Sequence, residues 1–216
     1  MSNHARTERE RLAELLAAAG PDAPTLCAGW RTRELAAHLV LREARPDAAA
    51  GIQLRPLGGW TRRVQDGYAR RPYEELVRRF RAGPPRLSPF ALPGADEAAN
   101  TVEYFVHAED VRRAVPWEPR ELDGALAEAL WRRVPLTARF ELAKRTPVRL
   151  VLAHRDGRNL TVGQKLRGTV RVTGDPGELL LFAFGRGAQS AVTVTGWPKE
   201  LAALRAAVAL PAEPGA

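Results

Sequence analysis

Two side chains that can bind a metal ion or transfer a proton lie four residues apart in the segment NTVEYFVHAEDVRRAV, residues 100–115. The apolar residues of this segment recur at the spacing of an α-helix. On a helix, Glu103 and His107 lie on the same side, with their Cβ atoms about 6 Å apart. Both side chains can therefore reach a single ion, but this spacing is more often that of an ordinary surface or partly buried pair than of a metal site. The spacing alone leaves both interpretations open.

His38 is the most suitable third donor, in the segment WRTRELAAHLVLREARP, residues 30–46. Leu35 and Leu39 mark the buried face of a second helix, and an imidazole at the edge of that face needs a polar partner. Ligands from facing helices can meet in the core of a helical bundle and form a metal site there. One carboxylate and two imidazoles suit zinc, although iron or nickel would also accept them. Three protein ligands leave one coordination position open, as in reactive metal sites.

The other histidines and the single cysteine are weaker candidates. His4 lies near the amino terminus, and His154 lies beside a turn. Cys27 cannot form an intramolecular disulfide, and its type is more typical of a small buried residue than of a ligand or nucleophile. A single cysteine excludes a cysteine-rich metal site and fits a reducing compartment.

The composition predicts a cytoplasmic globular protein. Hydrophobic residues make up 45% of the 216 residues, which is enough for a substantial core. We find no apolar run long enough for a membrane span, and the charged start MSNHARTERERLAEL does not resemble a secretory signal. The net charge of +8 is spread evenly, with 24 basic and 20 acidic residues in 1–145 and 9 and 5 in 146–216. We therefore expect neither a membrane nor a nucleic-acid partner.

Helices are expected to fill the first two thirds of the chain and to position the three donors. The segment at 83–94 is rich in proline and predicts a loop between two of these helices. A proline at position 72 should break one helical segment, and Pro135 should kink the last. The expected helical segments are 7–19, 30–45, 60–82, 96–115 and 119–144.

The pattern changes at about residue 147, where a small α/β unit is expected. Alternating apolar residues on both sides of Asp156-Gly157 predict a β-hairpin. The segments TVRVTG and AVTVTG predict strands, and each precedes a helix that starts near a proline. We predict an α+β fold, with a helical metal-binding domain at 1–145 and a small α/β domain at 146–216.

Two segments carry a resemblance to a known family. TLCAGWRTRELAAHLVLREARPDAAAG, residues 25–51, and EYFVHAEDVRRA, residues 103–114, resemble the actinobacterial proteins related to mycothiol-dependent maleylpyruvate isomerase, in the DinB-like metalloprotein superfamily. The resemblance covers nearly the whole chain, and its most specific parts are LCxGW and ExxxH. It implies a DinB-like four-helix bundle followed by a small α/β C-terminal domain. It also implies that His38, Glu103 and His107 are the metal ligands.

The same resemblance implies a chemistry in which a metal ion acts on mycothiol, a low-molecular-weight thiol. A divalent ion lowers the pKa of a coordinated thiol and so supplies a nucleophile. Arg42, and Arg186 if the α/β unit folds over the helices, are candidate counter-charges for an anionic substrate. Asp110 could orient the ring of His107 or form an ion pair with Arg112 or Arg113.

Two functions are therefore expected from the sequence. The first is an enzyme that uses Zn²⁺ and mycothiol to isomerise a small electrophile or to transfer a thiol to it. The alternative is a module that binds a metal or a small ligand without catalysis. In either case we expect small molecules as partners and a monomer or homodimer.

Overall fold

The structure is a computed structural model that describes residues 3–86, 88–92, 94–163 and 168–212. The chain forms two compact units, Met1–Trp117 and Glu118–Ala216. Helices make up the first unit, and helices with a four-stranded sheet make up the second, so the fold is mixed helix and sheet. Within the described ranges, none of the helices has both the length and the apolar character that crossing a membrane requires.

The helices of the first unit mostly follow the apolar pattern of the sequence. The predicted break at Pro72 is confirmed, and so is the long helix that carries Glu103 and His107. A helix that the sequence pattern did not predict starts at Pro46, which is well suited to a first helical position. The helices described in this unit are α1 (His4–Ala19), α2 (Thr32–Ala44), α3 (Pro46–Gln53), α4 (Gly58–Ala69), α5 (Tyr73–Ala82) and α6 (Ala95–Arg112).

One hydrophobic core joins α1, α2, α5 and α6. Each of these helices contributes apolar side chains at helical spacing, so that each buries one face against the others. The largest fully buried contributors are Leu12 and Leu16 from α1, Leu35 and Leu39 from α2, Leu76 and Phe80 from α5, and Tyr104 from α6.

A buried polar network crosses this core and links α1, α2 and α6. The Arg9 guanidinium donates to Glu43 Oε2, to Asp96 Oδ1 and to the Tyr104 hydroxyl, each at 2.8 Å. The Tyr104 hydroxyl in turn donates to the other oxygen of Glu43. Arg9 and Glu43 are almost fully buried, so each charge depends on the other for its stabilisation. The network therefore fixes α2 and α6 relative to α1.

The second unit combines the predicted hairpin with further strands and helices. β1 and β2 pair antiparallel around Asp156-Gly157, which confirms the hairpin, and β3 pairs parallel with β1. The sheet order is β2-β1-β3-β4. The elements are α7 (Gly124–Trp131), α8 (Val134–Thr137), β1 (Arg149–His154), β2 (Asn159–Gly163), β3 (Thr169–Gly174), α9 (Pro176–Ala183), β4 (Thr193–Gly196) and α10 (Pro198–Arg205).

The prediction of one kinked helix over 119–144 is wrong. α7 begins only after Asp123, whose side chain accepts a hydrogen bond from the Leu126 backbone N–H at 2.8 Å. α8 is a separate short helix with Pro135 near its start, and a π-helical turn follows at Ala138–Leu142. α7 and α8 pack against α9. Residues 118–145 thus belong to the second compact unit, whereas the change in sequence pattern placed the boundary after residue 145.

Replacing Glu43 by alanine tests the buried network. We expect Glu43→Ala to lower the free energy of unfolding by about 3 kcal/mol, because Arg9 stays buried without its main counter-charge. The matched control is Glu10→Ala, which removes an exposed carboxylate paired with Arg6 and should change stability by about 0.5 kcal/mol or less. Urea unfolding measures both variants, and equal losses would contradict this role for Glu43.

Candidate functional site

The structure brings the donor atoms of His38, Glu103 and His107 to within 4.8 Å of one another. Glu103 Oε1 lies 3.5 Å from His38 Nε2 and 3.3 Å from His107 Nε2. The two imidazole rings meet edge to face, with their centroids 5.5 Å apart. Both rings are about nine-tenths buried, whereas the Glu103 side chain remains 26% exposed. The donors thus share one point that is covered by protein on one side and open on the Glu103 side.

Two helices supply these donors, and the helical repeat explains which side chains face the site. Glu103 and His107 are four residues apart on α6, so their side chains lie one turn above each other on one face. His38 lies on α2 beside core residues, and its Nε2 points across to Glu103. The indole of Trp30 packs against this imidazole, with ring centroids 5.0 Å apart. This contact limits the orientations that the His38 ring can adopt.

The donor separations fit a shared cation better than direct hydrogen bonds. Charge-assisted hydrogen bonds between nitrogen and carboxylate oxygen are normally about 2.7–2.9 Å long. Two nitrogen or oxygen ligands of a tetrahedral zinc ion lie about 3.3–3.6 Å apart, given bond lengths of about 2.0–2.2 Å. The observed 3.3 Å and 3.5 Å fall within that range. The side chains present can therefore hold a zinc-sized ion with little movement.

Electrostatics favour the ionised form of the carboxylate. Burial alone would raise the pKa of Glu103, but its contacts with the rings of His107 and His38 outweigh it and hold the pKa well below its usual range. Burial lowers the pKa of His38 and so favours its neutral form. For His107, burial opposes protonation, yet hydrogen bonds with Asp110 and Cys27 and the contact with Glu103 raise its pKa well above the ordinary value. The ionised carboxylate of Glu103 and the neutral ring of His38 are in the forms that coordinate a cation, whereas His107 must release its Nε2 proton when a metal ion binds.

Asp110 contacts the opposite nitrogen of the His107 ring. His107 Nδ1 lies 2.9 Å from Asp110 Oδ2, one helical turn along α6. This is the orienting contact that the sequence spacing predicted, and such a partner fixes the ring and the nitrogen that carries the proton. The neighbouring guanidiniums of Arg112 and Arg113 bond to Glu109.

Cys27 is the functional candidate that sequence reasoning undervalued. Its Sγ lies 3.1 Å from Asp110 Oδ2 and 3.8 Å from His107 Nδ1, so the thiol adjoins the site. Cys27, His107 and Asp110 form a second group of donors within 4.8 Å of one another. The sequence feature that could have identified Cys27 is its position in the LCxGW segment, three residues before Trp30. Trp30 also contacts the site.

Hydrogen bonds order the loop that carries Cys27 and Trp30. The Leu26 backbone N–H donates to the Asp110 carbonyl at 3.0 Å, which ties the loop to α6. The Thr25 hydroxyl donates to the Trp30 carbonyl at 2.8 Å and accepts from the Cys27 N–H at 3.2 Å. Gly29 adopts a φ of 77°, a left-handed conformation that glycine adopts without strain. The loop therefore presents a thiol and an indole at fixed positions.

Arg42, a predicted counter-charge for substrate, contacts α6. Its Nε lies 3.4 Å from Glu103 Oε1, and its Nη1 donates to the Asn100 side chain. The guanidinium also stacks over the Phe90 ring, 5.0 Å from its centroid. These contacts hold a positive charge beside the exposed side of Glu103. The role of Arg42 toward a substrate stays a prediction.

The remaining candidates from the sequence are Arg186, His154 and His4. Arg186, the second predicted counter-charge, follows α9 in the second unit and donates to the Phe184 carbonyl at 2.8 Å. Its role toward a substrate also stays a prediction. His154 belongs to β1, and its Nδ1 accepts a hydrogen bond from the Asp156 backbone N–H at 2.9 Å. His4 begins α1.

Two crystal structures share the fold of this chain. They are the mycothiol-dependent maleylpyruvate isomerase, with a TM-score of 0.60, and its mutant in which a histidine is replaced by alanine, with a TM-score of 0.61. Each is 16% identical in sequence, and each alignment covers 89% of this chain and 90% of that chain. No family model matches this sequence, and no curated protein sequence matches it. The likeness therefore establishes the fold.

Replacing Gly29 by alanine tests the conformation of the loop beside the site. We expect Gly29→Ala to lower the free energy of unfolding by about 1 kcal/mol, because its φ of 77° strains any residue with a Cβ. The control is Gly67→Ala in α4, where the added Cβ meets open space. That change should raise stability by about 0.5–1 kcal/mol. Thermal unfolding compares the two, and a stabilising Gly29→Ala would contradict the loop geometry.

Proposed function

We propose that this chain binds one divalent metal ion through His38 Nε2, Glu103 Oε1 and His107 Nε2. The distances from Glu103 Oε1 to the two imidazole nitrogens are the observation that carries the proposal, since both match the ligand separations of a zinc ion. We propose Zn²⁺ as the ion, since one carboxylate and two imidazoles suit it. We also propose that the first unit is a DinB-like four-helix bundle. Three ligands leave a coordination position for a further molecule.

We further propose that the protein is a mycothiol-dependent enzyme that acts on a small electrophile. The fold shared with the mycothiol-dependent maleylpyruvate isomerase supports this choice of thiol. A divalent ion, when bound, lowers the pKa of a coordinated thiol and makes it a nucleophile at neutral pH. The reaction is either cis–trans isomerisation or transfer of the thiol to the substrate.

The side chains of the first unit have distinct tasks in this proposal. The carboxylate of Glu103 and the imidazoles of His38 and His107 hold the ion and leave its exposed side to the thiol. Asp110 keeps a proton on His107 Nδ1, so that Nε2 presents its lone pair to the ion. The positive charge of Arg42 lies beside this opening, where it would stabilise an anionic substrate. Arg186 is the proposed second counter-charge.

Metal analysis of purified protein tests the ligand set. We expect about one equivalent of zinc in the wild-type protein and little in His38→Ala, because two ligands hold a divalent ion far less tightly than three. His4→Ala is the matched control, since His4 is not among the grouped donors. Elemental analysis after dialysis against a weak chelator measures the bound metal. Equal metal content in His38→Ala and His4→Ala would contradict the proposed ligand set.

Incubation with mycothiol and maleylpyruvate tests the reaction and separates the enzyme from a binding module. We expect turnover by the zinc-loaded protein, detected as isomerised product or as a thiol adduct by mass spectrometry. Glu103→Gln should lower kcat/KM by about 100-fold or more, because a neutral amide is a poor zinc ligand. His4→Ala should retain full activity. Bound mycothiol without turnover of any electrophile offered would favour the non-catalytic module.

A further inference from the structure

We propose that Cys27 is a positioning residue that acts on the metal centre through Asp110. The inference rests on the proposed function, because it concerns how the metal ligand His107 is held. A thiol that donates to the carboxylate orienting a ligand belongs to the set of contacts that tune metal affinity. The loop before α2 would then support the metal ligands that the helices supply.

The first support is a carboxylate oxygen shared by two donors. Asp110 Oδ2 lies 3.1 Å from Cys27 Sγ and 2.9 Å from His107 Nδ1. The Cys27 thiol donates to this oxygen, and the same oxygen lies against Nδ1 of the ring. A proton on Nδ1 binds this oxygen and leaves Nε2, on the Glu103 side, as the nitrogen available to a metal ion. The thiol keeps the carboxylate in the position that enforces this tautomer.

The second support is that the backbone fixes the sulfur in place. Leu26 N–H donates to the Asp110 carbonyl, so the same residue of α6 holds the loop through its backbone and through its side chain. The Cys27 N–H donates to the Thr25 hydroxyl at 3.2 Å. The Asp110 side chain is fully buried, which leaves its carboxylate dependent on protein partners. Because the backbone already holds this thiol in place, little conformational entropy is lost when it contacts the carboxylate.

The distances also decide against Cys27 as a metal ligand. In a tetrahedral zinc site, a thiolate sulfur and a carboxylate oxygen would lie about 3.6 Å apart, and a nitrogen and an oxygen about 3.4 Å apart. The observed 3.1 Å and 2.9 Å are shorter and match hydrogen bonds. The group of Cys27, Asp110 and His107 Nδ1 is therefore a hydrogen-bonded support, whereas the wider group at Nε2 has the spacing of a metal site.

Zinc affinity in a set of variants tests the proposal. Competition with a chelating dye is measured for the wild type, Cys27→Ala, Cys27→Val, Cys27→Ser and Asp110→Asn. We expect both apolar replacements to weaken zinc binding by about 10-fold, within the range known for supporting contacts of metal ligands. Cys27→Ser keeps a donor and should stay close to the wild type. Valine fills the space of the thiol but cannot donate a hydrogen bond. Comparison of Cys27→Val with Cys27→Ala therefore distinguishes the loss of packing from the loss of the hydrogen bond.

A double mutant tests whether Cys27 acts through Asp110. Cys27→Ala combined with Asp110→Asn should bind zinc no more weakly than Asp110→Asn alone, since the second change removes the group that the thiol supports. Cobalt-loaded wild-type protein should lack the thiolate-to-cobalt absorption band that a sulfur ligand produces. Thermal unfolding of each variant confirms that a folded protein is compared.

The possible outcomes distinguish a failure of this inference from a failure of the proposed function. Zinc affinity that is equal in the wild type, Cys27→Ala and Cys27→Val would overturn the positioning role while leaving the metal site intact. A thiolate-to-cobalt band, or a loss in Cys27→Ser as large as in Cys27→Ala, would also overturn it. A wild-type protein that binds no zinc would overturn the proposed function and, with it, this inference.

Discussion

The ionised carboxylate of Glu103, mostly enclosed between two helices, is the constraint on which the candidate site depends. A buried negative charge is costly unless positive or polar groups compensate it. Its Oε1 lies within 3.5 Å of His38 Nε2, His107 Nε2 and Arg42 Nε, so three nitrogens converge on one oxygen. Only a close approach of α2 to α6 makes this convergence possible. The rest of the first unit can be understood as the means of holding these two helices together.

Two further sets of contacts hold α2 and the loop before it close to α6. The buried network of Arg9, Glu43 and Tyr104 joins α2 to α6 beside the site, since Tyr104 follows Glu103 directly in the sequence. The loop before α2 places Cys27 against Asp110 on the other side of His107. The site is thus held between a salt-bridged core and an ordered loop, which favours preorganised ligands.

Local periodicity was sufficient to predict some of this arrangement and insufficient for the rest. The four-residue spacing of Glu103 and His107 and the apolar stripe around His38 depend only on helix geometry, so the sequence pointed to three side chains that the structure brings together. Their role as metal ligands stays a proposal. Cys27 depends on how a loop packs against α6, which no periodic pattern encodes. The start of α7 depends on capping by Asp123, and the chain breaks between Trp131 and α8, so the predicted kinked helix over 119–144 was wrong. The structure divides into its two compact units after Trp117.

Anomalous diffraction from zinc-soaked crystals of the wild-type protein tests the central claim most directly. We predict one strong peak about 2.0–2.2 Å from His38 Nε2, His107 Nε2 and Glu103 Oε1, with a solvent or thiol ligand in the remaining position. A peak bonded to Cys27 Sγ, or no peak between α2 and α6 at a zinc concentration that occupies surface sites, would contradict it.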